Sequence, residues 1–113
     1  MASVSKISLI SEEALTATKT GLKKSLEARS LDFIGYMHVS ANDGATTIDA
    51  KIQQSADGVN WLDVVTFTQV VNVTSFEQKQ ITIALLPYVR AIATFTAGAS
   101  ATLKVDLYYN KYS

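Results

Sequence analysis

Cysteine is absent from this sequence of 113 residues, and histidine and proline occur once each. The chain therefore has no disulfide, no thiolate nucleophile and no sulfur ligand for a metal. A histidine-based zinc site needs more than the single His38. A serine hydrolase needs that histidine beside a nucleophile and a carboxylate, and no serine stands in a Gly-x-Ser-x-Gly sequence. We expect no catalytic residue, no metal and no cofactor, and hence a protein that is not an enzyme.

An excess of charge of either sign is also absent, since ten basic and ten acidic residues give a formal net charge of zero. Binding to nucleic acid through its phosphates needs a clustered positive surface. The one local excess of lysine and arginine, over residues 19–29, has glutamates in and beside it and is typical of a solvated face. No run approaches the roughly 20 apolar residues of a membrane span, and the N-terminus lacks the apolar core of a signal peptide. We expect neither nucleic acid nor membrane as a partner.

What the sequence does have is the periodicity of β-strands. From Ser30 onward, apolar and polar residues alternate nearly everywhere, which is the pattern of half-buried strands. In the last strand, for example, Leu103, Val105 and Leu107 are predicted to face inward and Asp106 outward. About eight to ten short strands, separated by turns every 8–12 residues or so, predict an all-β, single-domain, antiparallel β-sandwich of the jelly-roll type.

Turn residues punctuate this pattern. Asn42-Asp43-Gly44 predicts a tight hairpin between the strands on either side of it, and Asp57-Gly58 predicts a second turn. Residues 12–29 allow two interpretations: a helix, because glutamate, alanine, leucine and lysine favour it, or two short strands around Thr20-Gly21, which the threonines favour. We prefer the strands. We divide the chain into an N-terminal arm with the first strands, residues 1–30, and a sandwich body, residues 31–113, within one domain.

Several strands carry apolar or aromatic residues on both faces, as where Ile34 and Tyr36 alternate with Phe33 and Met37. A two-layer sandwich buries only one face of each sheet, so self-association is the simplest cover for the other. The alternative is that scattered tyrosines and aliphatic residues are normal on any surface. The candidate contacts with another subunit or a capsid lie in the N-terminal arm and on exposed strand faces: Val4, Ile7, Leu9, Tyr36, Tyr108 and Tyr112.

Two stretches resemble a known group of proteins. Gln-Gln-Ser-Ala-Asp-Gly-Val-Asn-Trp-Leu-Asp-Val, residues 53–64, resembles the Q-x-S-x-D-G-x-x-W-x-D-V pattern of small β-sandwich virion proteins of tailed bacteriophages. Pro-Tyr-Val-Arg-Ala, residues 87–91, resembles the pYvRa strand of the same group, and the resemblance covers residues 31–110. The shared residues have structural roles: Asp57 and Gly58 make the turn, and Trp61 re-enters the core. Tyr88 lies in the second motif, and Arg90 there either bridges to an acid such as Asp63 or points to solvent.

The resemblance implies a virion structural protein, made in the host cytoplasm without a signal peptide. Most specifically it implies a capsid decoration protein, which self-associates, for example as a trimer, and docks on the major capsid protein or other virion proteins. A role in the head–tail joint or the tail is the first alternative. A carbohydrate-binding sandwich is the second, and it would need Trp61 or the tyrosines within residues 108–112 as an exposed aromatic platform. A general interaction module with no viral link is the third.

Overall fold

The computed structural model describes residues 2–15, 17–26, 33–42, 47–71, 73–81, 87–95 and 100–112. Every regular element in these ranges is a β-strand, so the all-β prediction is confirmed. The described residues contain no helix that is long and apolar enough to cross a membrane. The strands are β1 (Ala2–Leu15), β2 (Lys19–Thr20), β3 (Lys24–Ser25), β4 (Phe33–Asn42), β5 (Thr47–Ser55), β6 (Leu62–Thr66), β7 (Val70–Val71), β8 (Ser75–Ile81), β9 (Tyr88–Phe95) and β10 (Ala101–Tyr112).

The strands form two antiparallel sheets. Sheet 1 has the order β1-β10-β4-β8, and sheet 2 has the order β2-β9-β5-β6. In sheet 2, β3 follows β2 along the same partner β9, and β7 follows β6 along the same partner β5. When each of these pairs is counted as one interrupted strand, the ten strands become eight. The first then pairs with the last, the second with the seventh, the third with the sixth and the fourth with the fifth, which is the double Greek key of a jelly roll. The predicted sandwich is confirmed.

The core lies between the inner faces of the two sheets, and the period of two decides which side chains enter it. Alternate residues of β4, β9 and β10 are buried, as the sequence pattern predicted. Full burial of a large aliphatic or aromatic side chain contributes about 1.5–3 kcal/mol, so this layer is the main source of stability. Its members on these strands are Phe33, Met37, Val39, Val89, Ala91, Ala93, Phe95, Ala101, Leu103, Val105 and Leu107.

The hairpin predicted at Asn42-Asp43-Gly44 is wrong. The strand before it, β4, pairs with β10 and β8 in sheet 1, whereas the strand after it, β5, pairs with β9, β6 and β7 in sheet 2. Residues 43–46 lie outside the described residues. Turn residues favour a reversal of the chain but do not select the partner of the next strand. Here the chain changes sheets, because pairing with distant strands places the apolar faces of β4 and β5 against one core.

The N-terminal region is extended, so the strand interpretation of residues 12–29 is confirmed over the described residues. β1 is an edge strand of sheet 1 and pairs with β10 from Ala2 to Leu15, with register shifts between Ser8 and Ile10 and between Ile10 and Glu13. Leu9 and Ile10 are neighbours in sequence and are both buried, which is possible because the extra residue of a bulge breaks the alternation. The division of the chain at residue 30 stays a prediction.

The segment after β2 passes close to β1 at Gly21. The Gly21 N–H donates to the carbonyl oxygen of Ala91 on β9 at 2.8 Å. A Cβ atom on Gly21 would overlap the carbonyl oxygen of Leu9 on β1. Only glycine therefore lets the chain approach β1 and bond to β9 at the same point.

We expect Gly21→Ala to lower the free energy of unfolding by about 1–3 kcal/mol, because overpacking against a backbone atom forces one of the two strands to move. The matched control is Leu22→Ala, whose side chain is 76% exposed and whose loss should change stability by less than about 0.5 kcal/mol. Urea unfolding of the two variants beside the parent measures both values. Equal stability of Gly21→Ala and the parent would contradict the close approach.

Candidate functional site

The outer face of sheet 1 carries a group of apolar and aromatic side chains outside the core. It exists because β4, β8 and β10 each have such residues at positions that point away from the core. Strand register places Tyr108 beside Ile34, and Lys104, His38 and Phe76 in one row across the three strands. We call this surface the aromatic face and define it by five residues: Ile34, Tyr36, His38, Phe76 and Tyr108.

Tyr36 lies at the centre of the aromatic face. Its ring centroid is 6.2 Å from that of Tyr108, with the planes at 82°, an edge-to-face pair. The His38 ring is also 6.2 Å away, tilted by 47°. The Nζ atom of Lys104 lies 5.9 Å from the Tyr36 ring centroid, within the range of a cation–π contact. These contacts restrict the orientations that the rings can adopt.

The aromatic face is open to solvent and slightly concave. Ile34 is 41% exposed and Phe76 is 67% exposed. Ile34, Tyr36, Gln78 and Tyr108 line a shallow depression of about 300 Å³. A second depression of about 480 Å³ lies beside it, with His38 and Phe76 in its lining. An exposed apolar surface of this kind is typical of a docking site.

A buried carboxylate lies within the same sheet. Asp106 was predicted to be exposed, but its side chain is 1% exposed, because it stands on an inner strand between its register neighbours Ser8 and Tyr36. Burial raises the pKa of Asp106, while Lys6, Lys104 and a hydrogen bond from Ser8 act in the opposite direction. Its Oδ2 atom has no hydrogen-bond partner among the described residues. The outer face of sheet 1 thus includes a buried carboxyl group, Asp106, that ionises less readily than it would in water.

The outer face of sheet 2 is polar and is organised around Arg90. The Arg90 Nε atom donates to Gln53 Oε1 at 2.8 Å, and Gln53 Nε2 donates to Asp63 Oδ1 at 2.9 Å. Lys51 Nζ lies 3.2 Å from Asp63 Oδ2, and the hydrogen bond from Gln53, with Lys51, lowers the pKa of Asp63. Arg90 is therefore linked to Asp63 through Gln53. The sequence had allowed a direct bridge to the acid or a side chain that points to solvent, and the structure shows an arrangement between the two.

Trp61 does not enter the core, so that prediction is wrong. The side chain is half-buried, and the guanidinium carbon of Arg90 lies 4.2 Å from its ring centroid. The Arg90 guanidinium group covers one face of the indole ring. It shields that face from solvent, as burial in the core would have done. Val65 and Phe67, further along the chain, take the buried positions.

The turn at residues 55–60 is a closed hydrogen-bond network. The Asp57 carboxylate accepts hydrogen bonds from the backbone N–H groups of Val59 and Asn60, at 2.8 and 2.9 Å. These backbone bonds, with the side chains of Asn60 and Ser55, hold the pKa of Asp57 well below its ordinary value. Gly58 has φ of 78°, which glycine adopts without strain. The central residues of the first motif, 55–60, thus hold the turn together.

Tyr88, from the second motif, joins this turn to the N-terminal region. Lys23 Nζ lies 5.1 Å from the Tyr88 ring centroid. A Cβ atom on Gly58 would come within 2.8 Å of the same Nζ atom, so Lys23 fits between the turn and β9. Tyr88 therefore has a structural role, as a contact for Lys23 of the same chain.

The predicted contact residues are only partly brought together. Tyr36 and Tyr108 are adjacent on the aromatic face. Leu9 is wrong as a contact candidate, because it lies two residues after Ile7 on the inner face of β1 and is 2% exposed. Ile7 is partly buried against the core. The side chains of Val4 and Tyr112 lie outside the described residues.

Phe76 and His38 belong to the aromatic face but were not among the candidates. Alternation in β8 indicates that Phe76 points away from the core. The sequence does not indicate that β8 pairs with β4, which is what places Phe76 beside His38. In the described parts of the chain, no three histidine, aspartate or glutamate side chains lie close enough to hold a metal ion.

We expect Asp106→Asn to stabilise the protein at neutral pH. Because the folded-state pKa is raised, ionisation of Asp106 costs stability above that pKa, and the cost disappears once the pH falls below the ordinary value of about 3.9. Thermal unfolding from pH 3 to 8 should show a gain that grows as the pH rises. Asp57→Asn is the matched comparison with the opposite sign: it should be less stable than the parent at neutral pH, and the loss should shrink as the pH falls. A stabilising effect of Asp106→Asn that is the same at every pH would contradict the raised pKa.

No protein-family model and no curated protein matches the sequence. Among the solved structures whose fold matches this chain are three of infectious bursal disease virus. The structure of the infectious bursal disease virus Gx strain contains a chain that is similar over 100% of this chain and 34% of its own length, with a TM-score of 0.64 and 11% identity. The crystal structure of the VP2 subviral particle of that virus matches with a TM-score of 0.63 and 14% identity, over 98% of this chain and 33% of its own. The structure of the Gt strain gives 0.62 and 11%, over 97% and 32%.

The chain thus spans about a third of the length of the structures that it matches. At these identities the likeness shows the fold alone: an antiparallel β-sandwich found also in chains of an infectious bursal disease virus. That virus is not a tailed bacteriophage, so the resemblance to bacteriophage proteins stays a prediction.

Proposed function

We propose that this protein is a structural component of a virus particle, specifically a capsid decoration protein that self-associates and docks on the shell. The observation that carries the proposal is the aromatic face, an exposed apolar surface on the outside of a jelly roll. The fold likeness to chains of infectious bursal disease virus supports the viral setting.

The composition of the aromatic face supports a protein partner. Tyrosine and phenylalanine are enriched at protein–protein interfaces, where large rigid rings bury area at a low cost in side-chain entropy. Gln78 and His38 add hydrogen-bonding groups beside the rings, and Lys104 lies over Tyr36. A second protein could therefore cover the apolar groups without leaving the polar groups unpaired.

The surroundings of His38 support a role without catalysis. His38 and Ser40 both line the larger depression on the outer face of β4. A Ser–His pair would need the hydroxyl to bond to the imidazole. The Ser40 hydroxyl instead donates to Glu12 Oε1 at 2.8 Å, and the His38 ring packs near Tyr36. The arrangement lacks the nucleophile–base contact of a hydrolase.

A role in the head–tail joint or the tail is an alternative that would use the same surface. The fold and the aromatic face are equally compatible with both places. Immunogold labelling of purified particles would separate them, because a decoration protein labels the shell and a joining protein labels one vertex or the tail.

A carbohydrate-binding role has one observation in its favour: the depression of about 300 Å³ has two tyrosines and a glutamine in its lining. The geometry makes it the weaker candidate. Sugar rings stack on flat aromatic platforms, whereas Tyr36 and Tyr108 meet edge to face at 82°. Trp61, the other candidate platform, has Arg90 over its ring.

We expect the purified protein to form a discrete symmetric oligomer, such as a dimer, trimer, pentamer or hexamer, which light scattering after size exclusion would report as one defined mass. Ile34→Asp should shift it toward the monomer, because docking would then bury an unpaired carboxylate on the aromatic face. The matched control is Leu22→Asp, which places the same charge at another exposed leucine, away from this face. A monomer at every concentration, or the same mass for Ile34→Asp and the parent, would contradict the proposed use of the aromatic face.

A further inference from the structure

The strand β8 forms one edge of sheet 1 and is open to solvent. It pairs with β4 along Ser75–Ile81, and no other described strand pairs with its second edge. Phe76, Gln78, Lys79 and Gln80 are all exposed. The described segment 66–68 of the other sheet contacts β8 through the Glu77 and Lys79 side chains, and it does not pair with the backbone of β8. An uncovered edge of seven residues presents unpaired backbone N–H and C=O groups, which are a template for another strand.

The sequence of β8 is complementary to itself. In an antiparallel pair of two copies centred on Gln78, each Glu77 stands opposite Lys79 of the second copy, and each Phe76 stands opposite Gln80. Directly opposite residues in a sheet interact, and opposite charges in such pairs are stabilising. One such dimer would therefore contain two Glu–Lys pairs across the strands.

Neighbouring registers do not have this property. Opposite residues must point to the same face of the sheet, so the two-fold axis has to pass through a residue rather than between two residues. An axis at Glu77 would place two glutamates opposite each other, and an axis at Lys79 would place two lysines opposite each other. Like charges in directly opposite positions are destabilising. The charges of β8 thus favour the register centred on Gln78.

The two charged side chains are already held on one side of β8. Glu77 accepts hydrogen bonds from the backbone N–H of Thr68 at 2.8 Å and from its hydroxyl at 2.7 Å. Lys79 Nζ donates to the carbonyl oxygen of Thr66 at 2.9 Å. Because these bonds restrict both side chains before association, less conformational entropy remains to be lost when the strands pair.

We propose that two copies of this chain pair through β8, antiparallel and centred on Gln78, to form one continuous eight-stranded sheet from the two four-stranded sheets 1. This inference rests on the proposed self-association and specifies one interface for it. The row that contains Asp106, Tyr36 and Gln78 then continues into the same row of the second copy. The two aromatic faces become one surface on one side of the dimer, which is the side that docks.

The absence of cysteine makes the geometry directly testable, because a single introduced cysteine has no other partner. In Gln78→Cys the two thiols face each other across the axis, within the Cα separation of about 4.4–6.8 Å that a disulfide needs. We expect mild oxidation to double the mass on a non-reducing gel. In the control Gln80→Cys, the two cysteines are four residues apart along the paired strands, roughly 13 Å at 3.3–3.4 Å per residue, and should not cross-link.

A second pair of variants tests the same register without oxidation. Gln78→Lys places two lysines opposite each other, and we expect loss of the β8-paired species in light scattering. Gln80→Lys adds the same charge opposite Phe76 and should keep it. Thermal unfolding of all four variants verifies that the fold is retained.

Equal cross-linking of the two cysteine variants, or an unchanged mass for Gln78→Lys, would overturn the pairing of β8. The proposed function would still stand in that case if the parent self-associates and Ile34→Asp dissociates it. A disulfide in Gln78→Cys with no effect of Ile34→Asp would have the opposite meaning: β8 pairs, and the aromatic face is not a contact between copies.

Discussion

The whole candidate site depends on the antiparallel pairing of β10 with β1 on one side and with β4 on the other. The aliphatic residues of β10 fill the core, while Asp106 and Tyr108 stand on the opposite surface of the same strand. A slip of one residue would exchange the two surfaces. The register that buries the aliphatic side chains therefore also brings Tyr108 against Tyr36. The core and the aromatic face are two results of one pairing.

Which side of a strand faces the core could be predicted from the sequence, because alternation is a local property of the chain. The burial of alternate residues in β4, β9 and β10 follows it directly. Which strands become neighbours could not be predicted, because the partners are far apart in sequence. Asn42-Asp43-Gly44 shows the limit: its residues favour a reversal, yet β4 and β5 belong to different sheets. Tyr36 and Tyr108 were both candidates, but only the pairing of β4 with β10 makes them neighbours.

Three residues departed from the simple inside–outside pattern, each for a physical reason that is not local. Ile10 follows Leu9 directly and is also in the core, because β1 contains a bulge between Ser8 and Ile10. Asp106 is buried on an outward position because the long side chains of Tyr36, Lys6 and Lys104 lie near it. Trp61 is held outside the core because Arg90 stacks on its ring. Alternation predicts which side chains are buried only where the strand is regular and the neighbouring side chains are short. Each of these three residues violates one of those two conditions.

The pairing of β1 with β10 also has a consequence for how the protein is made. Sheet 1 joins strands from opposite ends of the chain, so it cannot close until the residues of β10 have left the ribosome. Until then β4 lacks one of its two neighbours, and its apolar inner face has no complete core to enter. Topologies dominated by such distant pairs fold slowly. The nascent chain therefore has unpaired sheet edges throughout its synthesis. Two copies can pair through an edge without mispairing only after each sandwich has closed.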